Sequence, residues 1–155
     1  MHAFWAGGFA FSRADVLREV PQDPHLYFTE TEPTQSVRLW THGWDLFAPT
    51  ENVVWHCYGP DKADVRAPWD VGREWYLRAQ LSGERARHLL GVAPGRPDAL
   101  VDLGRYALGA SRTLDDYERF AGVSFRQKRA EAFAHRGECR PEFARPRVRG
   151  DAVLT

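Results

Sequence analysis

The order of apolar and polar positions predicts a helix followed by two short strands in the first third of the chain. The helix spans residues 33–42. Pro33 suits a first helical position, where its missing N–H would be unpaired anyway, and Gly43 suits a left-handed stop. Residues 45–48 follow as a short strand, and residues 52–58 form a second strand whose side chains alternate between two faces.

His56 lies late on the second of these strands, just before the apolar run breaks at Gly59. Strand ends next to loops are where α/β folds build their sites. A lone histidine on a strand is usually a structural residue, and metal ligation is the alternative interpretation. His42 lies too far away in sequence to form a local metal pair with it.

The N-terminal segment predicts a buried strand at residues 4–11, interrupted by the pair Gly7-Gly8. Paired glycines inside a strand remove side chains where another group must approach the backbone closely, and a β-bulge is an equally good explanation. Ser12 suits the N-cap of a short helix at residues 14–20, which Pro21 stops.

Two carboxylates, Glu30 and Glu32, stand directly before the predicted helix. Acidic residues at a helix N-terminus complement the helix dipole, and each contributes about 0.3–1 kcal/mol. The alternative is a pair that hydrogen-bonds sugar hydroxyls or handles a proton. Spacing alone favours the dipole interpretation.

The rest of the chain predicts several helices, at residues 74–79, 83–91, 100–108, 114–121 and 124–135. Ser82 suits the cap of the second of these. Thr113 and Asp116 form a capping box for the fourth, with Gly122 as its stop. Residues 140–155 are aperiodic and rich in arginine and proline, which predicts a disordered tail.

Composition excludes several classes of protein. The formal charge of zero gives no electrostatic case for nucleic acid or an anionic membrane. Cys57 and Cys139 are far apart in sequence, which indicates reduced thiols in a cytoplasmic protein. No apolar run approaches the roughly 20 residues that span a bilayer, and no signal-peptide pattern is present. Walker, GxGxxG, GxSxG and CxxC motifs are absent as well.

Three segments together resemble a known family: FWAGGFAFSRADVLREVPQDPHLYF (4–28), SVRLWTHGWDLFAPTENVVWHCYG (36–59) and LGRYALGASRTLDDYERFAGVSF (103–125). The chain resembles the C-terminal part of the bacterial and protist GlcNAc-transferase family, which includes the cytoplasmic hydroxyproline-directed N-acetylglucosaminyltransferase. A more distant similarity is to the polypeptide GalNAc-transferases.

The resemblance implies a GT-A fold, in which an α/β nucleotide-binding sheet joins an acceptor-binding half. The expected fold class is therefore α/β: the acceptor-side half of this fold, with a small mixed sheet, flanking helices and a helical C-terminal cluster. Residues 1–80 would be the partial GT-A domain, residues 81–139 its helical extension and residues 140–155 a tail. Such enzymes transfer a sugar from a UDP donor to a protein hydroxyl, with retention, using a divalent metal such as manganese.

The resemblance implies one metal ligand here, His56, because the family places a histidine late on the strand after its arginine-bearing helix. The other two ligands come from a DxD or DxH motif on the nucleotide-binding half. This chain has no DxD, and its Asp23-Pro24-His25 lies where the family has an acceptor-side loop, so it is not assigned to metal. A metal is expected only in a complete site.

The resemblance also implies sugar-binding residues. Gly7 and Gly8 match a small-residue strand that lets the donor sugar lie close to the backbone. Glu30 and Glu32 would be catalytic carboxylates that hydrogen-bond the sugar hydroxyls or the acceptor, although Thr31 stands where the family's usual Gly-Glu-Glu run has its first glutamate. Further donor-sugar or acceptor contacts are implied for Arg38, Trp40 and Trp44.

The resemblance implies that the first strands of the nucleotide-binding sheet and a uridine pocket would precede residue 4, and three hypotheses follow from this expectation. The chain could be a fragment or split subunit that works with a separate DxD-bearing N-terminal half, UDP-GlcNAc and a protein or peptide acceptor. It could instead be a non-catalytic, glycan- or peptide-binding pseudoenzyme module. The third alternative is a decayed gene product that folds poorly.

Overall fold

The structure, a computed structural model, describes residues 1–49, 51–55 and 72–143. Its four α-helices are α1 (Ala14–Glu19), α2 (Thr31–Thr41), α3 (Trp75–Leu89) and α4 (Leu114–Ala121). Two short strands, β1 (Val123–Ser124) and β2 (Arg129–Ala130), pair in an antiparallel hairpin. Single 3-10 turns are formed by Phe28–Glu30, Pro97–Leu100, Leu103–Tyr106, Ala134–Arg136 and Pro141–Phe143.

Helix α2 is the central element of the described part of the chain. Every residue from 34 to 41 is buried, and the helix contacts both α3 and α4. It ends at Thr41, and Gly43 follows as the predicted stop, with a φ of 93° that suits a residue without a Cβ. It begins earlier than predicted, at Thr31, so Pro33 is its third residue.

The hydrophobic core forms where α2 meets α4. Trp40 of α2 stacks on Phe120 of α4, with ring centroids 4.0 Å apart. The N-terminal segment closes this core, because the buried Tyr117 hydroxyl donates a 2.8 Å hydrogen bond to the Ala3 carbonyl. The remaining core members are Val37, Leu90, Ala121 and Cys139.

A buried ion pair fixes α3 to the segment that precedes α2. Arg85 Nε lies 2.6 Å from Asp23 Oδ2, and both side chains are fully buried. Arg85 also donates to the carbonyls of Ala99 and Val101, at 3.0 and 2.8 Å. The guanidinium therefore links three separate stretches of chain in the interior.

The predicted strands at residues 4–11 and 45–48 are wrong, and residues 52–55 are not a strand either. A strand needs a neighbour about 4.8 Å away to take its hydrogen bonds, and these segments do not pair with one another. His2 instead forms an isolated bridge with Glu138, and its N–H donates to the Leu46 carbonyl at 2.7 Å. Residues 56–58 lie outside the described part of the chain.

The predicted mixed sheet is therefore replaced by the β1–β2 hairpin among the described residues. The hairpin lies where the sequence predicts a helix at residues 124–135, so that helix prediction is wrong. Lys128, with a φ of 51°, makes the turn that reverses the chain. A combination of helices with a small sheet still agrees with the broad α/β expectation.

Other helix predictions have mixed outcomes. Helix α4 has the predicted capping box: Asp116 N–H donates to Thr113 Oγ1, and Thr113 N–H donates to the Asp116 carboxylate. Ser82 is not a cap, because it is buried in the middle of the continuous helix α3. The predicted helix at 100–108 is reduced to 3-10 turns, while that at 14–20 is confirmed as α1. None of the helices in the described ranges is both long and apolar enough to cross a membrane.

Candidate functional site

The first contact of the candidate site joins Gly7 to Glu32. The Gly7 N–H donates a 2.7 Å hydrogen bond to Glu32 Oε1. A Cβ built on Gly7 would lie 3.3 Å from that oxygen, so the missing side chain allows the close approach. Gly7 and Gly8 form a turn rather than part of a strand, so the β-bulge explanation is wrong.

The N-terminal segment is held in this position by α2. Trp5 N–H donates to Ser36 Oγ at 2.8 Å, and the Ser36 hydroxyl in turn donates to the Glu32 carbonyl at 2.6 Å. Ser36 is fully buried. The first turn of α2 therefore fixes both the backbone near Gly7 and the start of the Glu32 side chain, while the Glu32 carboxylate faces solvent.

The Glu30 side chain points to α3 and not to Gly7. Thr29 Oγ1 donates to Glu30 Oε2 at 3.1 Å, and the Ser82 hydroxyl lies 3.5 Å from the same oxygen. A Cβ on Gly83 would lie 3.7 Å from Glu30 Oε1 and 3.3 Å from Arg87 Nη1. Glu30 Oε1 and the Arg87 guanidinium therefore both lie beside Gly83 on the surface of α3.

Sequence reasoning missed the contributions of Ser82 and Arg87. Ser82 Oγ accepts a 2.8 Å hydrogen bond from Tyr27 N–H, which fixes the turn that carries Glu30. Ser82 lies 55 positions after Tyr27, and no local pattern signals such a contact.

Glu32 lies in the first turn of α2, where its negative charge complements the helix dipole.

An unusual backbone conformation precedes Glu30. Phe28 has a φ of 55°, in the left-handed region that bulky residues rarely adopt. Such a residue costs on the order of 1–3 kcal/mol and persists only where surrounding contacts enforce it. The hydrogen bond between Tyr27 and Ser82 holds the residue before Phe28. Phe28 itself is 55% exposed, and it precedes Glu30 and Glu32 in the sequence.

The structure places Arg38 and Trp40 in the interior, away from the Gly7–Glu32 contact. Arg38 is fully buried, and its Nη1 donates to the Pro21 carbonyl and to Gln35 Oε1, both at 2.8 Å. Burial holds the pKa of the Arg38 guanidinium below its ordinary value. Trp40 is 5% exposed and packs in the core. Neither side chain is brought together with Glu30 or Glu32.

Trp44 lies at the opposite end of α2 from Glu32 and lines an open cleft of about 480 Å³. Its indole N–H donates to Glu19 Oε2 at 3.0 Å. Arg112 Nη1 lies 2.8 Å from Asp45 Oδ1 on the cleft wall. We call this feature the Trp44 cleft; its other lining side chains are Arg13, Asp15 and Phe47.

The implied metal ligand His56 lies outside the described residues. Within residues 1–49, 51–55 and 72–143, no group of three His, Cys, Asp or Glu side chains could hold a metal ion. Asp23 of the DxH sequence is occupied in the interior, where its oxygens accept from Arg85 Nε and from His25 N–H. The described side chains therefore do not form a metal site by themselves.

Comparison with known proteins identifies the family. A family model described as Glycosyltransferase (GlcNAc) matches residues 1–127. No curated protein matches the chain, and no solved structure matches it. The family match covers most of the chain, including the Gly7–Glu32 contact, the turn that carries Glu30, and all of the residues that line the Trp44 cleft. The chain therefore belongs to the GlcNAc glycosyltransferase family.

Proposed function

We propose that the chain supplies the sugar- and acceptor-binding side of a GT-A-type N-acetylglucosaminyltransferase. In this proposal GlcNAc passes from UDP-GlcNAc to a hydroxyl group of a protein or peptide. The family match over residues 1–127 carries the proposal. The contact of Gly7 with Glu32 supports it, because it places an exposed carboxylate beside a stretch of backbone with no side chain in the way.

Glu32 would hold the donor sugar. Its Oε1 accepts from Gly7 N–H, and the remaining lone pairs of the exposed carboxylate can accept from sugar hydroxyls. Hydrogen bonds to an ionised acceptor are about twice as strong as neutral ones. The bond to Gly7 also restricts the carboxylate, so less entropy is lost when a sugar binds.

Glu30 would make a second contact to the sugar or the acceptor. The turn that carries it is fixed by Tyr27 and Ser82, and its carboxylate lies beside α3 near Gly83. Its hydroxyl neighbours, Thr29 and Ser82, hold one oxygen in place. These contacts would hold the Glu30 carboxylate in position before a ligand binds.

The leaving group of the proposed reaction is UDP, on which negative charge builds as the glycosidic bond breaks. A divalent metal such as manganese would neutralise that charge. We propose His56 as one ligand in a complete site. Because the chain contains no DxD motif, the remaining ligands are proposed to come from a separate half that carries one.

The test is to measure UDP-GlcNAc hydrolysis and GlcNAc transfer to a hydroxyproline-containing peptide, with manganese present. The chain alone is expected to give no useful turnover, because the loss of even one electrostatic contact to the developing charge costs about 3–4 kcal/mol in the barrier. A mixture with a DxD-bearing half from the same genome is expected to be active.

Turnover by the chain alone would contradict the proposed division between two halves. Absence of turnover in both samples would favour the alternative, a glycan- or peptide-binding module without activity. The Trp44 cleft is the observation that keeps this alternative open, because it is a separate concave surface with aromatic and charged walls.

A further inference from the structure

The Trp44 cleft lies apart from the carboxylates that carry the proposed function. Glu32 is in the first turn of α2, and Trp44 follows the last turn. With a rise of about 1.5 Å per residue, the helix separates the two positions by roughly 15 Å. A ligand in the cleft would therefore occupy different space from a sugar held at Glu32 and Gly7.

The cleft has the size and the surface of a ligand site. Its volume of about 480 Å³ falls within the range of roughly 300–1,000 Å³ typical of small-molecule pockets. Two aromatic rings contribute to its walls: Trp44 is half-buried, and Phe47 is 61% exposed. Aromatic rings offer flat apolar faces, on which the C–H faces of a pyranose ring can stack.

The polar walls are nearly balanced in charge. Three carboxylates, those of Asp15, Glu19 and Asp45, stand against the guanidiniums of Arg13 and Arg112. A diphosphate would meet more negative than positive charge here, which disfavours a nucleotide. A neutral ligand with many hydroxyl groups suits this wall, because carboxylates accept and guanidiniums donate hydrogen bonds.

Internal contacts hold these walls in place before a ligand binds. Asp15 pairs with Arg13 and with Arg18, at 2.9 and 2.6 Å. The two guanidiniums hold the pKa of the Asp15 carboxyl below its ordinary value, so it stays ionised. On the opposite wall the Arg112 guanidinium lies over the Trp40 ring, 4.0 Å from its centroid. A preorganised wall loses less entropy on binding.

The Glu19 carboxylate offers an acceptor atom to a ligand in the cleft. Glu19 uses Oε2 to accept from the Trp44 indole, and its Oε1 accepts from none of the described residues. Glu19 thus orients the indole and leaves an acceptor at the edge of the aromatic surface. A ring face with an acceptor beside it suits a sugar, which offers C–H groups to the ring and hydroxyl donors to the acceptor.

We propose that the Trp44 cleft is a binding subsite for a neutral saccharide, separate from the donor-sugar contacts at Glu32 and Gly7. Saccharide binding there does not depend on transfer activity. Its use for sugar residues already attached to an acceptor rests on the proposed function.

The test is direct binding of two neutral disaccharides, di-N-acetylchitobiose and cellobiose, to the full chain by calorimetry and by saturation-transfer NMR. Phe47→Ala is expected to weaken binding about tenfold, and Trp44→Ala is expected to abolish it at millimolar ligand. Phe47 is exposed, so its replacement leaves the fold intact even if Trp44→Ala perturbs α2. Trp75→Ala is the matched control: it removes an exposed aromatic ring at the start of α3 and is expected to bind as the wild type does.

Three results would overturn the proposal. The first is that the wild-type chain binds neither disaccharide at millimolar concentration. The second is that the Phe47 and Trp44 variants bind as tightly as the wild type. The third is displacement of the disaccharide by UDP, which would make the cleft part of a nucleotide site. Because none of these measurements needs turnover, failure of the transfer assay and failure of this proposal are separate outcomes.

Discussion

The contact between Gly7 and Glu32 joins two residues that the sequence singles out for different reasons. Gly7 is predicted as a place where another group approaches the backbone, and Glu32 as a carboxylate for sugar hydroxyls. In the structure the approaching group is the Glu32 carboxylate itself. The two residues therefore form one contact, although they are 25 positions apart in the chain.

Replacement of Glu32 by glutamine separates the fold from the proposed chemistry. The amide oxygen can still accept from Gly7 N–H, so the free energy of unfolding is expected to change by less than about 0.5 kcal/mol. The charge-assisted bond to a sugar hydroxyl is lost, at about 1.5–3 kcal/mol. Transfer by the mixture with a DxD-bearing half should therefore fall about tenfold or more in kcat/KM.

Steady-state kinetics and urea unfolding together check this prediction. Glu142→Gln is the control, since it neutralises an exposed carboxylate outside the family match. Unchanged kcat/KM in Glu32→Gln would exclude the carboxylate from donor binding.

Tyr117 makes the stability of the chain sensitive to alkaline pH. Burial holds the pKa of its phenol well above the ordinary value of 10.0. The folded state binds this proton more tightly than the unfolded state, so the contribution is fully present below about pH 10 and is lost above it. The loss amounts to at most about 1.4 kcal/mol for each pH unit.

Urea unfolding of wild type and Tyr117→Phe at pH 8, 10 and 11 tests this assignment. The variant is expected to be less stable at pH 8 by about 1 kcal/mol, because the Ala3 carbonyl loses its donor. The difference between the two proteins should shrink as the pH rises to 11. A constant difference across the range would contradict a titration of Tyr117.

At the scale of elements, α4 shows how local signals determine structure. Thr113, Asp116 and Gly122 lie within one short stretch, and each contacts a neighbour three or four positions away, so the sequence predicts the helix and both of its ends. Helix α3 shows the opposite case. Ser82 resembles the cap of a second helix, but it is buried within one continuous helix, where it accepts a hydrogen bond from Tyr27 N–H.

The stop of α4 gives a sharp stability prediction. Gly122 has a φ of 65°, and a Cβ there would overlap the ring of Phe133. Gly122→Ala is expected to cost at least about 2 kcal/mol, from the strained backbone and from displacement of the ring. Gly8→Ala is the matched control, because nothing lies within 4 Å of its added Cβ, and it should be nearly neutral.

Thermal and urea unfolding measure both variants. An equal, small effect of the two substitutions would show that Phe133 does not pack against the end of α4 in solution.

The ion pair between Asp23 and Arg85 ties α3 to the chain before α2. Asp23→Asn would leave the buried guanidiniums of Arg38 and Arg85 without a carboxylate, and breaking a buried pair costs about 3–5 kcal/mol. The control is Glu84→Gln, which removes the charge that faces Arg96 at 2.8 Å near the surface. Exposed pairs contribute about 0–1 kcal/mol.

The two variants are compared by urea unfolding at pH 7 and low salt. Asp23→Asn should lower the midpoint strongly, with Glu84→Gln close to wild type. Similar midpoints would mean that the Asp23 charge is not what stabilises the interior.

At the scale of the whole molecule, the sequence identifies the family and the local helix signals, but not the packing between distant segments. Residues 4–11 have the composition of a strand and still lack a strand neighbour, because pairing depends on segments elsewhere in the chain. Arg38 and Trp40 are implied as ligand contacts, yet their burial results from the way α2 is covered by α3 and α4. Arg85 finds Asp23 62 positions earlier in the chain, a distance over which no periodicity extends.

The docking of residues 1–3 against α4 and Gly137 has a consequence for the rate of folding. Ala3 N–H donates to the Gly137 carbonyl, and the Ala3 carbonyl accepts from Tyr117, so the two contacts enclose loops of more than 100 residues. Each doubling of loop length adds about 0.6 kcal/mol of closure entropy, and such high contact order slows folding. On the ribosome, the N-terminal segment cannot reach its native partners until the last helix and the hairpin after it have emerged. Until then Ala3 and its apolar neighbours stay accessible to chaperones, and the core can close only after synthesis has passed the matched residues 1–127 and reached Gly137.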